Sequence, residues 1–300
     1  MASEGKAPDW DKERDEFWIA QDFETSARLH VQHWIWQFQL AYALHPRIDT
    51  SGGKPLRVAD IGAGNAAWLL ELTRLFPSQE SVQLDGFDIT SSNFPHAAWL
   101  PSNLKLHTWN AFSDLPSEYV EAFDIVHIRA LNSTIVNNKV DPMLVNALKM
   151  LKPGGYLQWD ENDALKLACN VPDESVNADA ATTITKMMEV IMKYQTHLHA
   201  DWLHNMPETL RERGCEIVAH EVTEAKKELA RATTDNYLLV WKDLIRMIPE
   251  APMPLPPGMG LPESMSRRSF SDLVRKAVEE TAKGASLTMP FHVTVARKTS

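Results

Sequence analysis

The sequence has few of the features that mark secreted or membrane-bound proteins. Its 300 residues include two cysteines, Cys169 and Cys215, so it has no disulfide framework and suits a reducing compartment. No apolar run approaches the roughly 18 residues that suggest a membrane span. Residues 1–18 are too charged for a secretory signal. These absences predict a cytoplasmic protein with no membrane partner.

The chain also lacks the basic surface of a nucleic-acid-binding protein. Its formal net charge is −10 and its pI is about 5.6. Adjacent basic residues such as Lys226-Lys227 and Arg267-Arg268 are isolated pairs and form no stripe. A polyanionic partner would need such a stripe. We therefore expect no nucleic-acid partner, while the apolar fraction of 44% supplies a normal core.

Short apolar segments alternate with helical patterns between residues 51 and 165. This alternation predicts βαβ units and a parallel sheet. Ligands of such sheets bind beyond the carboxyl ends of the strands, where the strand order switches. The predicted strands are LRVADIG, VQLDGFDI, LKLHTWNAF, FDIVHIRA and YLQWDEN.

The segments on either side of this block are predominantly helical. A helix is predicted from Glu24 to Leu44, ended by His45-Pro46, because a residue before proline is pushed out of the α region. Later, GCEIVAHEVTEA and PFHVTVARK read as the last two strands, and the proline-rich segment after Met247 reads as an extended loop. The predicted organisation is a lid over 1–50, an α/β core over 51–165, a helical cap over 166–213, and 214–300 with a helical insertion over 224–285.

The strongest local signal is the segment Val58–Trp68, VADIGAGNAAW, in which a strand enters a turn with two glycines and a helix leaves it. Glycine lets the backbone approach a ligand closely. Asp60 stands just before the first glycine, where it would repel a pyrophosphate, and Asp88 closes the second strand, where a carboxylate can accept ribose hydroxyls. Acids at both strand ends favour a cationic cofactor without phosphate.

These segments resemble class I S-adenosylmethionine-dependent methyltransferases, and in particular those of fungal secondary metabolism and, more distantly, their methyltransferase-like regulators. The matching words run in family order over residues 22–162: SARLHVQHW, LHPRI, VADIGAGNAAW, GFDITSSNFP, FDIVHIRA and LKPGGYLQWDE. The resemblance implies a Rossmann-like α/β fold, with a seven-stranded, mostly parallel sheet, an N-terminal helical lid and a helical substrate cap. One departure is Asn65-Ala66, where the family's turn usually carries another glycine.

The resemblance also implies the cofactor and its ligands. S-adenosyl-L-methionine would be held at its methionine end by the turn, at its ribose by Asp88, and at its adenine by Ile89. Arg129 would lie beneath the transferred group or orient the substrate. The implied cofactor-binding residues are Asp60, Gly62, Ala63, Gly64, Asp88, Ile89, Asn110, Ala111 and Arg129.

Methyl transfer to an activated sulfonium depends mainly on alignment, and a base helps only when the nucleophile is protonated. His33 is the base candidate, because it lies on the helix that relatives fold over the cofactor. Asp160, in the run Trp159–Glu161, could orient an amine or phenol, although a solvated strand end is an equal interpretation. The catalytic candidates are His33, Arg129 and Asp160.

The other histidines are not assigned to a site. His127 lies inside an apolar strand and reads as a core residue with satisfied hydrogen bonds. His197, His199 and His204 are residues of a type that binds metals, but the i, i+2 spacing puts the first two on different helix faces. No metal site is therefore expected.

Methionines and tryptophans of the cap are the candidates for the substrate wall. The pattern favours a helix core for each single residue, but such side chains over a cofactor cleft also make an adaptable apolar surface, so some of them are expected to line a pocket. The predicted acceptor-binding residues are Trp36, Met188, Met192, Trp202, Tyr237 and Trp241.

The function expected from these features is methylation of a small-molecule acceptor, a fungal secondary metabolite. Two alternatives stay open, because a fold does not fix a function. One is a methyltransferase-like enzyme that catalyses a cyclisation or pericyclic step in a natural-product pathway. The other is a non-catalytic regulator. A homodimer is also left open, and the sequence does not indicate which atom of the acceptor is methylated.

Overall fold

The computed structural model describes residues 22–76, 78–135, 137–194, 201–255, 257 and 260–299, with the side chains of 191–194 and 247 excepted. The strands are β1 (Leu56–Ile61), β2 (Val82–Asp88), β3 (Leu104–Thr108), β4 (Phe123–Arg129), β5 (Leu151–Asn162), β6 (Ala168–Asn170), β7 (Cys215–Thr223), β8 (Met253–Pro254), β9 (Ser264–Met265), β10 (Ser286–Thr288) and β11 (Phe291–Lys298). The α-helices are α1 (Phe23–Leu40), α2 (Ala67–Leu72), α3 (Asp141–Met150), α4 (Asp179–Tyr194), α5 (Asp201–His204), α6 (Met206–Glu212), α7 (Ala230–Leu244) and α8 (Arg267–Thr281).

Seven of these strands form one sheet in the order β3-β2-β1-β4-β5-β11-β7. The first five are parallel, and β11 runs antiparallel to both of its neighbours. The central strands are buried along nearly their whole length, because helices cover both faces, and this explains their continuous apolar runs. The predicted Rossmann-like, mostly parallel, seven-stranded fold is confirmed. Its switch point lies between β1 and β4, where the strand order reverses.

Two apolar clusters enclose the sheet. One face packs against α3, α5 and α6 through side chains such as Leu144, Trp202 and Leu210. The opposite face packs against α2 and against residues that follow α1, including Trp68 and Ala43. The sheet is thus a three-layer α/β core, and its carboxyl edge remains the place for a ligand.

A third cluster forms the interior of a separate helical layer. It joins α4, α7 and α8 through Ile184, Trp241 and Phe270. The predicted cap segment 166–213 is therefore divided, because α4 belongs to this layer while α5 and α6 pack against the sheet. We call the layer of α4, α7 and α8 the cap from here on. The loop predicted as extended also carries a short ladder between β8 and β9.

Helix α1 ends earlier than predicted. It stops at Leu40, and Ala41 takes a left-handed conformation with φ 62° and donates its N–H to the carbonyl of Gln37. Such a left-handed residue is a common helix terminator. The chain then continues into the core, where the indole of Trp68 donates to the carbonyl of Ala43 at 3.1 Å. The predicted stop at His45-Pro46 was wrong by four residues.

None of the helices in the part of the chain that the structure describes combines the length and the apolar character needed to cross a bilayer.

Candidate active site

The glycine turn after β1 depends on its glycines. Gly62 and Gly64 have φ values of 77° and 53°, which side chains disfavour. A Cβ on Gly62 would lie 2.7 Å from a methyl of Leu131, and one on Gly64 would lie 3.1 Å from a methyl of Leu29. The two glycines therefore contribute only backbone atoms to the turn. The flexible apolar side chains of Leu131 and of Leu29, which belongs to α1, lie over them.

The departure at Asn65-Ala66 is accommodated within the turn. Ala66 is left-handed, with φ 60°, and fully buried. This is the conformation that a glycine would adopt more easily. The side chain of Asn65 accepts from the N–H of Ala67 at 3.2 Å and so helps to start α2. The missing glycine is thus replaced by an alanine at a position with strained backbone.

Asp88 joins the end of β2 to the glycine turn. Its Oδ2 accepts the N–H of Gly64 at 2.8 Å, and its Oδ1 accepts the N–H of Thr90 at 3.3 Å. Burial raises the pKa of Asp88, and the charge of nearby Asp60 adds to this rise. A cation placed between the two acids would lower that pKa again. The side chain of the next residue, Ile89, is 37% exposed and offers an apolar surface.

A chain of charged groups crosses three strands beside the turn. Asp60 Oδ1 lies 2.7 Å from His127 Nδ1, and His127 Nε2 lies 3.2 Å from Asp160 Oδ2. Arg129 donates to the same oxygen of Asp160 through Nε at 3.0 Å and Nη2 at 2.6 Å. The indole of Trp68 stacks on the imidazole with 3.7 Å between ring centroids. His127 is completely buried, as predicted, and the contacts on both ring nitrogens make it a bridge between carboxylates.

Asp160 is surrounded by protein groups. It is completely buried, and the side-chain amide of Gln158 also donates to it at 3.0 Å. Burial raises its pKa, but Arg129 and His127 outweigh this effect and lower the pKa below its ordinary value. The guanidinium of Arg129 lies 5.1 Å from the ring of Trp36. Asp160 therefore positions Arg129 under the lid helix α1.

Trp159 and Glu161 are buried on the other face of β5. Glu161 accepts the N–H of Leu131 at 2.9 Å, and burial raises its pKa to about 8. The side chains of Trp159, Asp160 and Glu161 are at most 2% exposed, so the interpretation of this run as a solvated strand end was wrong. The reason is that β11 pairs with β5 along this run, and Trp202 of α5 packs on Trp159.

The loop after β3 lies against the end of β2. The N–H of Trp109 donates to the carbonyl of Asp88 at 2.8 Å. Asn110 uses its own side chain to accept the N–H of Phe112, and the carbonyl of Ala111 accepts from Asn146 at 2.8 Å. Asn110 and Ala111 thus follow a residue that is bonded to Asp88, and side-chain hydrogen bonds fix their loop.

His33 connects the lid to the core. Its Nε2 lies 3.2 Å from a carboxylate oxygen of Glu71, and Gln37 donates to the other oxygen at 2.8 Å. These contacts attach α1 to α2. Leu29 of the same helix lies over Gly64, and the lid over residues 1–50 stays a prediction.

The residues predicted to bind the acceptor are separated by the fold. Trp36 is buried against Phe291, with 4.7 Å between ring centroids, and Trp202 packs 5.4 Å from Trp159. Tyr237 and Trp241 are buried inside the cap, where Met188 is partly buried. The side chain of Met192 and the residues His197 and His199 lie outside the described part of the structure.

The strand order, the switch point and the glycine turn followed by an acid at the end of β2 define a class I methyltransferase-type fold. A solved structure supports this at the level of the fold: a Haemonchus contortus phosphoethanolamine N-methyltransferase 2 with bound S-adenosyl-L-methionine. It matches 98% of this chain and 61% of its own with a TM-score of 0.50 and 14% identity.

Sequence comparison identifies relatives among fungal methyltransferases, while no family model matches. The Penicillium methyltransferase grgD is 31% identical over 166 residues, and the Clonostachys rogersoniana N-methyltransferase verN is 26% identical over 160 residues. The Coprinopsis cinerea secondary metabolism regulator laeA is 28% identical over 152 residues, which is 50% of this chain and 36% of laeA. The matched segment is 53% of this chain for both grgD and verN, and the chain spans just over half the length of these two relatives, at 57% and 54%.

Proposed function

We propose that this protein is an S-adenosylmethionine-dependent methyltransferase that acts on a small molecule of fungal secondary metabolism. The observation that carries the proposal is the pair of acids, Asp60 and Asp88, beside a bare glycine turn at the switch point of the sheet. A phosphate-bearing dinucleotide would be repelled there, whereas a sulfonium cofactor with an ammonium group would be attracted. The fungal methyltransferases grgD and verN and the secondary metabolism regulator laeA, as relatives, support the same class of acceptor.

The residues at the edge of the sheet fit this cofactor. The turn Gly62–Gly64 and Asp60 would hold its methionine end, Asp88 its ribose, and the exposed Ile89 its adenine, bordered by Asn110 and Ala111. When bound, the cofactor supplies an electrophilic methyl group. Leu29 and Leu131 cover the glycines, so binding requires these two side chains to change rotamer.

The contribution of the protein to the reaction is alignment and the exclusion of water. Asp160 and His127 hold Arg129 in one orientation, and Trp36 covers its guanidinium. Because Arg129 is already fixed in one conformation, it can orient the acceptor without a further loss of side-chain entropy. Helix α1 closes the site above the turn, as lids of other enzymes do.

We expect Asp88→Ala to weaken binding of S-adenosylmethionine by roughly 10- to 150-fold, since about 1.5–3 kcal/mol of charge-assisted hydrogen bonding is lost. Isothermal titration of the cofactor and of S-adenosylhomocysteine measures this directly. Asp173→Ala is the control, because Asp173 is an exposed loop residue bonded to Ser175. Wild-type affinity in Asp88→Ala would contradict the assignment of the ribose site.

We expect His33→Ala to lower turnover by about 100-fold or more if His33 is the general base. Gln37→Ala is the matched control, because Gln37 makes the other contact to Glu71 but cannot act as a base. Single-turnover rates are the measurement, with cofactor affinity determined in parallel. Equal losses in both variants would mean that His33 only attaches the lid.

Product mass separates this proposal from its competitors. Methylation adds one methyl group to the acceptor, whereas a cyclisation or pericyclic step leaves the mass unchanged. A regulator would leave both substrates unaltered and act through protein contacts. The proposal includes a cytoplasmic location and no nucleic-acid substrate, in keeping with the net charge of −10. Light scattering tests the homodimer left open above.

A further inference from the structure

Three side chains from distant parts of the sequence meet beside the start of β11. Asp163 follows β5 directly, His204 ends α5, and His292 is the second residue of β11. The antiparallel register pairs His292 with Glu161, and the N–H of Asp163 donates to the carbonyl of Pro290 at 3.0 Å. Asp163 Oδ2 then lies 2.8 Å from His204 Nε2 and 3.6 Å from His292 Nε2.

His292 is the unusual member of this cluster. It is 3% exposed, and among the described residues neither of its ring nitrogens has a hydrogen-bond partner. Polar groups buried in this way are costly and call for a ligand. Asp163 is completely buried, and its Oδ1 accepts the N–H of Leu165 at 3.1 Å. This bond orients the carboxylate so that Oδ2 faces both imidazoles.

The geometry points to a zinc site, and we propose that Asp163, His204 and His292 bind Zn²⁺. Tetrahedral ligands at about 2.0–2.1 Å from zinc lie roughly 3.3 Å from one another. The two measured separations from Asp163 bracket this value, and the three ligand atoms lie within 4.8 Å of one another. The three atoms are therefore close enough for one ion to be bound between them once the imidazoles adjust.

Zinc fits the donor set and its surroundings. Two imidazoles and one carboxylate are the ligands of many zinc sites that keep a fourth position open. The side chain of His204 is 38% exposed, so a water or an oxygen atom of a small molecule can reach that position. The site lies at the carboxyl edge of the sheet, on the face of β5 and β11 opposite Asp160, because side chains alternate along a strand. Metal binding does not depend on the proposed methyl transfer.

Without metal, the same residues form an ion-pair cluster. The two arrangements differ in one measurable respect, which is the uptake of a divalent metal ion.

The test uses the full-length, tag-free protein, treated with EDTA and then desalted. Titration with ZnCl₂ by calorimetry and with CoCl₂ by visible absorption should give one site per chain. His204→Gln and His292→Asn should each weaken binding by about 100-fold or more, since even second-shell changes cost 10- to 100-fold. His107→Gln is the matched control, because His107 Nε2 lies 2.8 Å from Asp85 Oδ1 in another His–Asp pair. Its affinity for zinc should equal that of the wild type.

The proposal is overturned if the folded wild-type protein takes up no Zn²⁺ or Co²⁺ in a saturable manner, or if His204→Gln binds as tightly as the wild type. It is also overturned if binding survives His292→Asn but is lost in the double variant His197→Gln/His199→Gln. If His292→Asn fails to fold, His204→Gln alone tests the proposal. His204 is partly exposed, so its substitution should leave the fold intact. Circular dichroism establishes the folded state of each variant.

Discussion

Asp160→Ala is expected to destabilise the protein by about 3–5 kcal/mol, the cost of removing one partner of a buried ion pair. The substitution leaves Arg129 and His127 without the carboxylate to which both are bound, and it removes one of the two acceptors of the Gln158 amide, the other being the carbonyl of Ala43. These groups have almost no access to water, since the side chain of Arg129 is only 10% exposed. They cannot recover their lost interactions from solvent.

Urea unfolding followed by tryptophan fluorescence measures this loss. Glu279→Ala is the control, because the pair of Arg275 and Glu279 is more than half exposed and surface pairs contribute little. Asp160→Asn tests the charge alone at nearly constant volume. If both variants kept wild-type stability and lost only turnover, Asp160 would be catalytic and its positioning role would be wrong.

The same group predicts a dependence of stability on pH. The pKa of Asp160 is lowered in the folded state, so its stabilising contribution is complete above its ordinary pKa of about 3.9 and is lost as the pH falls through the lower, folded value. Below about pH 4, wild type should therefore lose more of its free energy of unfolding than Asp160→Asn does. The two curves should run parallel near neutral pH.

The sheet and the cofactor turn could be predicted because their signals are local. The turn Gly62–Gly64 and the acid Asp88 lie next to apolar strands, and periodicity indicates where those strands end. The connections of the site were not predictable in this way. Asp60, His127 and Asp160 come from three strands, and only their register brings the three together. The apolar neighbours of His127 in the sequence predicted that it is buried, but they did not predict its contacts with Asp60 and Asp160.

Tertiary packing also decided where the aromatic residues lie. The helical pattern treats Trp202 and Trp241 alike, yet one packs on the sheet and the other fills the cap. The cluster around Asp163 shows the same limit, since His204 is 41 residues away and His292 lies further still along the chain. The spacing of His197, His199 and His204 argued against a metal site. Spacing along the sequence cannot reveal ligands from distant segments, and here these are His292 of β11 and Asp163 after β5.

Trp241→Ala is expected to destabilise the cap by about 3–5 kcal/mol, the usual cost of truncating a buried tryptophan. Trp241 has no exposed surface, and its ring centroid lies 5.5 Å from that of Phe270 and 5.9 Å from that of Tyr237. These residues belong to the cluster of α4, α7 and α8, which is distinct from the two clusters that enclose the sheet. Opening of the cap should therefore leave the glycine turn and Asp88 in place.

The measurement is paired, with acceptor kinetics and cofactor titration on the same variant, and hydrogen exchange to locate the loosened segment. We expect acceptor use to fall strongly in Trp241→Ala while cofactor affinity changes by less than about twofold, as for energetically independent sites. Trp99→Ala is the control, since Trp99 is 84% exposed.

Trp202→Ala should differ from Trp241→Ala, because Trp202 packs on Trp159 of β5 and its loss should weaken the sheet and cofactor binding together. Proportional loss of acceptor use and cofactor affinity in Trp241→Ala would mean that cap and sheet form one cooperative unit, and the sequence-based prediction that cap residues bind the acceptor would lose its support.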